Sequence, residues 1–366
     1  MIATELQDIL FGTPKPTRGT ANLGVIKEDE INILVHGHEP QMSEMVAVAA
    51  SDPELLKEAK AAGAKGISIA GVCCTAAEML MRFHFYFFGN PEGLVFDVLD
   101  EPPSDALWRP MERYLQGLGV DVRLGCSLNR AEQVSLGRWR AHTSAQRLDC
   151  EGLVLAVEVP ALKTLFESSV DLRADPDFDD AIRALEVTSP LAVWRLFLDR
   201  PANDERPPFA SMSGMGLLDR ISLYERFEGE SRRWSLRTGG SIVELHGYAC
   251  PNDDEPAIRA ELRQGLDELY PEFRGAEPVH GSWIFTRDSP AFAPGSHAKR
   301  PRVVTPFGNV VLAGDFVKLP FPTAQMERAA ASGMLAANHL LDRWDVRGES
   351  LFSVPGRGFM APTPVG

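Results

Sequence analysis

A carboxylate at the end of an apolar strand, a histidine pair and a cysteine pair are the groups in this chain best placed to do chemistry. Asn309-Val-Val-Leu-Ala-Gly-Asp315 reads as a short strand, since β-branched residues and leucine favour a pleated, buried surface. Gly314 lets the backbone turn sharply and brings Asp315 to the strand's carboxyl end. Pro320 and Pro322 keep the chain irregular until Thr323, whose hydroxyl is expected to cap a helix ending at Leu341. Met326, Ala330, Gly333, Ala337 and Leu341 recur at the spacing of one helical face, which is predicted to be buried. A strand ending in an acid, facing a helix N-terminus, suits a cofactor with hydroxyls and partial negative charge. The same order of elements also occurs in α/β proteins that hold no ligand there.

Near the other end, Ile31–Val35 is predicted to be a strand running into His36-Gly-His38-Glu-Pro40. Helical periodicity follows through Met42, Met45, Val46 and Val48, and a capping box at Ser51-Asp-Pro-Glu54 restarts a helix that stops at Gly63. A second strand, Lys65–Val72, leads into Cys73-Cys74-Thr75. Strand, helix and strand in that order predict a parallel βαβ unit, with His38 and the cysteines at its carboxyl edge. Imidazole and thiolate there are suitable ligands for iron, nickel or zinc. Two side chains fall short of a closed four-ligand site, and a hydrogen-bonded histidine beside buried thiols is the alternative reading.

Composition narrows the partners. The 366 residues are 44% hydrophobic and 24% charged, an ordinary globular balance with room for two domains. A net charge of -14 with no basic cluster opposes binding to nucleic acid. No apolar run reaches the length of about 18 residues that a spanning helix needs. The N-terminus carries Glu5 and Asp8 and no signal-like apolar core, so a cytoplasmic location is expected. The cysteines, five in number, lack the spacing of a disulfide scaffold and fit reduced thiols.

Between these ends the chain alternates helices and strands. An amphipathic helix is predicted through Ala106, Met111 and Leu115, with strands at 121–124, 139–142 and 152–157 and a short helix at 162–166. Further strands are expected at 191–198, 220–225, 242–248 and 280–285, with a helix from Glu255 to Leu269 whose Ile258, Leu262 and Leu266 share one side. Residues 201–208 and 228–240 read as polar loops. The aromatic run Phe83–Phe88 could line a tunnel for an apolar ligand or fill a core, and whether Trp194, Trp234 and Trp283 converge is open from sequence. The acids at 97, 100, 225, 228 and 253–255 have the spacing of solvated faces, and His246, His280 and His297 are isolated enough to be structural.

Two resemblances organise these readings. Asp8-Ile-Leu-Phe-Gly-Thr-Pro-Lys-Pro16, Ala21-Asn-Leu-Gly24, Val35-His-Gly-His-Glu-Pro40 and Gly71-Val-Cys-Cys-Thr75 resemble an internal piece of nickel-iron carbon monoxide dehydrogenases over residues 1 to about 82. The resemblance implies cluster ligands at His38 and one cysteine of the pair, Cys74 in preference to Cys73. The electron-transfer cysteines and the later cluster ligands of that family have no counterpart here, so a complete nickel-iron-sulfur cluster is not expected.

The second covers roughly 83 to 347. Gly89-Asn-Pro-Glu-Gly93, Gly117-Leu-Gly-Val-Asp-Val-Arg-Leu124, Val154-Leu-Ala-Val157, Ser289-Pro-Ala-Phe-Ala-Pro-Gly295, Arg300-Pro301 and the Ala-Gly-Asp315 stretch are similar to the C-terminal half of FAD-dependent carotenoid desaturases, in the amine oxidase superfamily and of the isorenieratene synthase type. That resemblance implies hydride removal from a hydrophobic carotenoid, with a peripheral membrane contact. It implies half of an FAD site: Gly314 at the turn, Asp315 near ribityl or phosphate oxygens, and the amides of Met326 and Glu327 at the flavin's pyrimidine edge. No Gly-x-Gly-x-x-Gly occurs, and neither Gly117-Leu-Gly119 nor Gly214-Met-Gly216 completes one.

The expected architecture is therefore mixed α/β and α+β. It is a partial amine oxidase-like two-domain fold lacking its N-terminal Rossmann segment and preceded by a βαβ fragment. Its divisions fall at 1–82, a desaturase-like 83–347 with a substrate domain at about 162–300 and the rest of the FAD domain at 301–347, and a tail at 348–366. The alternatives are a carbon monoxide dehydrogenase fragment and a non-functional chimera.

Overall fold

The computed structural model describes the backbone of 32–34, 47–49, 67–69 and 72–74, and residues 78, 81–82, 84–88, 98–212, 215–293 and 295–354. In chain order the first strands are β1 (Asn32–Leu34), β2 (Ala47–Ala49), β3 (Ile67–Ile69) and β4 (Val72–Cys74). After α1 (Arg109–Gly117) come β5 (Leu128–Ser135), β6 (Arg138–Thr143), β7 (Arg147–Cys150) and β8 (Leu153–Leu155). Helices α2 (Val159–Ser168) and α3 (Pro176–Arg183) precede β9 (Glu186–Val187), β10 (Leu191–Leu198), β11 (Phe209–Ser211) and β12 (Arg220–Leu223). Then follow α4 (Gly229–Thr238), β13 (Ser241–Gly247), α5 (Glu255–Leu269), β14 (Pro278–Thr286), β15 (Pro290–Ala291), α6 (Ser296–Lys299), β16 (Val310–Leu312) and α7 (Gln325–Arg343).

The chain divides into two compact units. One holds residues 1–74, 99–102 and 188–287; the other holds 75–98, 103–187 and 288–366. In the first, an antiparallel sheet of order β11-β12-β13-β10-β14 is covered by α5. Ile258, Leu262 and Leu266 from α5 are buried with Leu217, Leu218 and Leu245, as the helical spacing predicts. Trp194 and Trp283 are register partners on β10 and β14 and meet edge to face at 6.0 Å, while Trp234 packs on Phe197 at 5.2 Å. Two of the three tryptophans therefore meet, and Trp234 packs apart from them on Phe197.

In the second unit β16 pairs parallel with β8, Val310 opposite Leu153 and Leu312 opposite Leu155. Side chains of both strands join Leu162, Phe166, Ile182 and Leu340 in one core, which also includes Trp139 of the antiparallel β5-β6-β7 sheet. Asn309 stands at the start of β16 and is 1% exposed. Its Oδ1 accepts from Trp139 Nε1 at 3.3 Å, and its Nδ2 donates to the carbonyls of Gly137 (2.9 Å) and Glu151 (2.8 Å).

Several expectations are corrected. The parallel crossover predicted for 31–72 is not found among the described residues: β1 pairs antiparallel with β2, and β3 with β4. Only Ala70 and Gly71 separate β3 from β4, and an antiparallel pair needs no longer link than that, whereas parallel strands need a crossover. Residues 229–238, read as loop, form α4; it looks polar because only Gly229 and Ser231 are buried, and Gly239 (φ +75°) ends it in the left-handed conformation that glycine favours. Residues 121–123 carry no strand. The aromatic run forms a π-helical turn, His84–Phe88.

Candidate functional site

At the carboxyl end of β16 the chain turns through Gly314 (φ +150°), where an added Cβ would lie 2.5 Å from Cε1 of Phe316, so only glycine fits. The turn is tied to α7 by a serine. Gly314 N–H donates to Ser332 Oγ at 2.8 Å, and Ser332 Oγ lies 2.7 Å from the Ala329 carbonyl, to which it donates. Asp315 follows, partly buried, and burial raises its carboxyl above the usual range against the opposing charge of Arg328.

The helix starts one residue later than its sequence suggests. Ala324, extended at φ -145°, occupies the N-cap with no side-chain cap, and Gln325 enters the first turn at φ +49°. Thr323 is instead held through its carbonyl, which accepts from Arg328 Nη2 at 2.6 Å. The buried face is also different: it is Arg328, Ala331, Ser332, Ala336 and Leu340, while Met326 is 78% exposed and Ala330 and Ala337 are exposed. An apolar-stripe reading selects Met326 over Arg328. The structure reverses that choice because Arg328 satisfies its donors internally, on the carbonyls of Asp315 (3.2 Å) and Thr323 and on the carboxylate of Glu78.

Gly314, Asp315 and the uncapped start of α7 are thus brought together by Arg328 and Ser332, neither of which the sequence singled out. The amides of Met326 and Glu327 lie in the helix's first turn, where backbone N–H groups have no intrahelical acceptor. Tyr86 lies beside them, its hydroxyl 3.5 Å from Gln325 Oε1, and burial followed by the charge of Glu327 raises its phenol above the ordinary value. A groove of about 400 Å³ is lined by Val303, Val304, Leu319, Pro320 and Leu335 together with Arg302 and Lys318. For the metal pair, His38 lies outside the described residues and Cys74 ends β4 with only its backbone described. Among the described residues no group of three metal-ligating side chains forms.

A second polar cluster, on the sheet of the first unit, was not legible in sequence. Glu244, 7% exposed, accepts from Arg195 (2.8 Å) and Tyr224 (3.0 Å) and meets His246 Nε2 at 2.8 Å. Tyr248 completes it through His246 Nδ1 at 3.1 Å. Glu244 and His246 alternate along β13 and Tyr248 follows its end, so period-two spacing of Glu244, His246 and Tyr248 was the available signal. Asp219 accepts from the Tyr248 amide at 2.7 Å, and burial raises its carboxyl to about 6. A raised folded pKa contributes stability that is fully present below the unfolded value and is lost as pH rises towards 6. Replacing Asp219 by Asn is therefore expected to remove a loss of about 2 kcal/mol between pH 4 and pH 6.5. Urea unfolding of both proteins at the two pH values checks this, and parallel pH profiles would refute it.

With this geometry in place, the chain's relatives divide at the same seam as its motifs. Residues 1–92 match the Prismane/CO dehydrogenase family. Carbon monoxide dehydrogenase 1 of Methanosarcina acetivorans is 61% identical over 82 residues, which are 22% of this chain and 13% of that protein. Carotenoid phi-ring synthase of Streptomyces griseus is 43% identical over 285 residues, 78% of this chain and 55% of the synthase.

The chain is similar to two different families in separate stretches. The chain spans about half the length of the phi-ring synthase it matches. Among solved structures, UDP-galactopyranose mutase in its reduced form aligns with a TM-score of 0.50 at 11% identity, covering 65% of this chain and 50% of that one. That likeness establishes the mixed α/β fold. The phi-ring synthase similarity and the expected desaturase resemblance agree, and so do the two sources for the N-terminal stretch. No described helix is long and apolar enough to cross a membrane.

Proposed function

We propose that the chain carries the C-terminal half of an FAD-dependent oxidoreductase of the carotenoid desaturase type, acting by hydride removal from a hydrophobic polyene. The observation that carries this reading is the glycine-turned Asp315 beside an uncapped helix start, within a stretch 43% identical to a carotenoid phi-ring synthase. The residues present fit one half of FAD. Asp315 would accept hydrogen bonds from ribityl or ribose hydroxyls, and the first amides of α7, at Met326 and Glu327, would face the flavin's pyrimidine edge. Bound FAD would supply the hydride acceptor, and a helix N-terminus lowers the energy of negative charge that builds near it. Exposed Met326 offers apolar surface to a flat ring, and the groove beside Val303 and Leu335 has the apolar walls a polyene needs. The pyrophosphate half has no glycine-rich turn within these 366 residues, so FAD affinity of the chain by itself is expected to be weak.

Equilibrium dialysis of the purified chain against FAD tests the assignment. Binding that weakens about tenfold in Asp315→Ala, the worth of one hydrogen bond to a charged group, supports it. Binding that is absent, or indifferent to Asp315, refutes the half-site.

A second reading is favoured by the family match over residues 1–92: a metal-binding remnant using His38 and Cys74. Nickel and iron analysis after anaerobic purification, with His38→Ala as control, separates it from the first. A metal content that His38→Ala leaves unchanged would remove it.

A further inference from the structure

We propose that the groove lined by Arg302, Val304, Lys318, Pro320 and Leu335 binds a free amphiphile, an apolar chain that ends in a carboxylate or similar anionic head, with Arg302 and Lys318 taking the head. This is the groove whose apolar lining suits a polyene, but its cations make a demand that a hydrocarbon does not meet. The assignment does not rest on the flavin reading, since none of these residues is a proposed flavin contact.

The backbone sets the two charges side by side. Arg302 and Lys318 form a parallel bridge, and the Lys318 N–H donates to the Pro301 carbonyl at 2.8 Å. Residues opposite each other across a pair of strands carry their side chains on the same face. Burial follows that alternation in both segments: Arg302 is exposed and Lys318 half-buried, Val303 and Leu319 are buried, and Val304 and Pro320 are exposed. Each segment therefore presents a cation and, two residues or about 7 Å further on, an apolar side chain. A charged head followed by an apolar tail has the same order.

Charge favours an anion over solvent alone. Like charges directly opposite each other repel. Among the described residues neither Arg302 nor Lys318 has an ion pair or a side-chain hydrogen bond, whereas Arg140, Arg183, Arg300 and Arg328 each meet a carboxylate. The positive field reaches His297, which burial and then the charge of Lys318 hold below the ordinary imidazole value. Both cations have side chains that reach solvent, so both are open to a ligand. The arginine fork matches the two oxygens of a carboxylate, and the lysine ammonium adds a further donor.

A bilayer fits less well than a free amphiphile. Anionic membranes recruit clusters of about four to eight cations, each worth about 1 kcal/mol. Here two stand on a chain whose net charge is -14.

Isothermal titration calorimetry of the full chain with monomeric dodecanoate tests the assignment, with dodecanol as an uncharged chain of the same length. The expected result is saturable binding of dodecanoate, about tenfold tighter than that of dodecanol. Arg302→Gln/Lys318→Gln should weaken dodecanoate about tenfold and leave dodecanol unchanged. Removing two cations that repel each other should leave the urea midpoint of the ligand-free double variant the same or higher, so that its weaker binding is a loss of contact and not of fold. No saturable binding, dodecanol bound as tightly as dodecanoate, or unchanged dodecanoate affinity in the double variant would each overturn the proposal. So would attachment to phosphatidylglycerol vesicles that the double variant loses while monomeric dodecanoate fails to bind, because the cations would then serve a membrane surface. A chain that binds no FAD must still bind dodecanoate, so the two assignments fail separately.

Discussion

Replacing Glu78 by Gln is expected to destabilise the protein by about 3 to 5 kcal/mol, the cost of removing one partner from a buried ion pair. Glu78 is 1% exposed and its carboxylate is paired with Arg328 (2% exposed) and with Arg300 at 3.2 Å. Glutamine keeps the shape and the acceptor oxygen but leaves two buried guanidinium groups without their counter-charge. Arg82, whose Nε sits 3.5 Å from the same carboxylate, adds a third cation to the uncompensated set. Urea unfolding gives the number. A change below about 1 kcal/mol would mean that water reaches the arginines and the pairs are effectively surface interactions. Removing one cation as well, in Glu78→Gln/Arg300→Met, should recover part of the loss, because charge imbalance rather than lost packing is its cause. The pair also has a lineage: Glu78 lies in the stretch that matches the Prismane/CO dehydrogenase family, while Arg300 and Arg328 lie in the desaturase-like stretch.

Asn309→Leu is expected to cost about 3 kcal/mol. The side chain is buried and makes three hydrogen bonds, so leucine of similar volume would strand the Trp139 indole N–H and the carbonyls of Gly137 and Glu151. Each stranded group costs on the order of 1 to 3 kcal/mol, and partial relaxation brings the sum to the stated value. The urea midpoint should fall with an unchanged denaturant slope, since the loss is local and the surface exposed on unfolding is the same. An unchanged midpoint would show that water replaces the amide. Because Asn309 fixes the start of β16, the same variant should weaken any ligand that depends on Asp315 at the strand's other end.

Residues with strong local signals were readable in advance. Leu191–Leu198 and Glu255–Leu269 form a strand and a helix with the predicted limits, because β-branched residues and a period of 3.6 decide such segments locally. Gly314 and Asp315 were placed correctly at the end of their strand for the same reason. The two family resemblances were equally legible, since they rest on runs of residue identity.

Other features depend on which groups find partners across the fold. The helix after Asp315 contains enough alanine for several faces to read as buried, and the choice fell to an arginine and a serine. Arg328 is inside because Glu78, some 250 residues earlier, and two nearby carbonyls complete it. Nothing local to Arg328 encodes that. The Glu244, His246 and Tyr248 cluster likewise needed Arg195 and Tyr224 from neighbouring elements before its polar face became affordable in the interior. Sequence alone therefore determined locally strong elements such as Leu191–Leu198 and Glu255–Leu269, the two resemblances and the position of Asp315. Tertiary structure decided which polar side chains are buried, because burial of a charge is favourable only where distant residues supply its counter-charge and its hydrogen bonds.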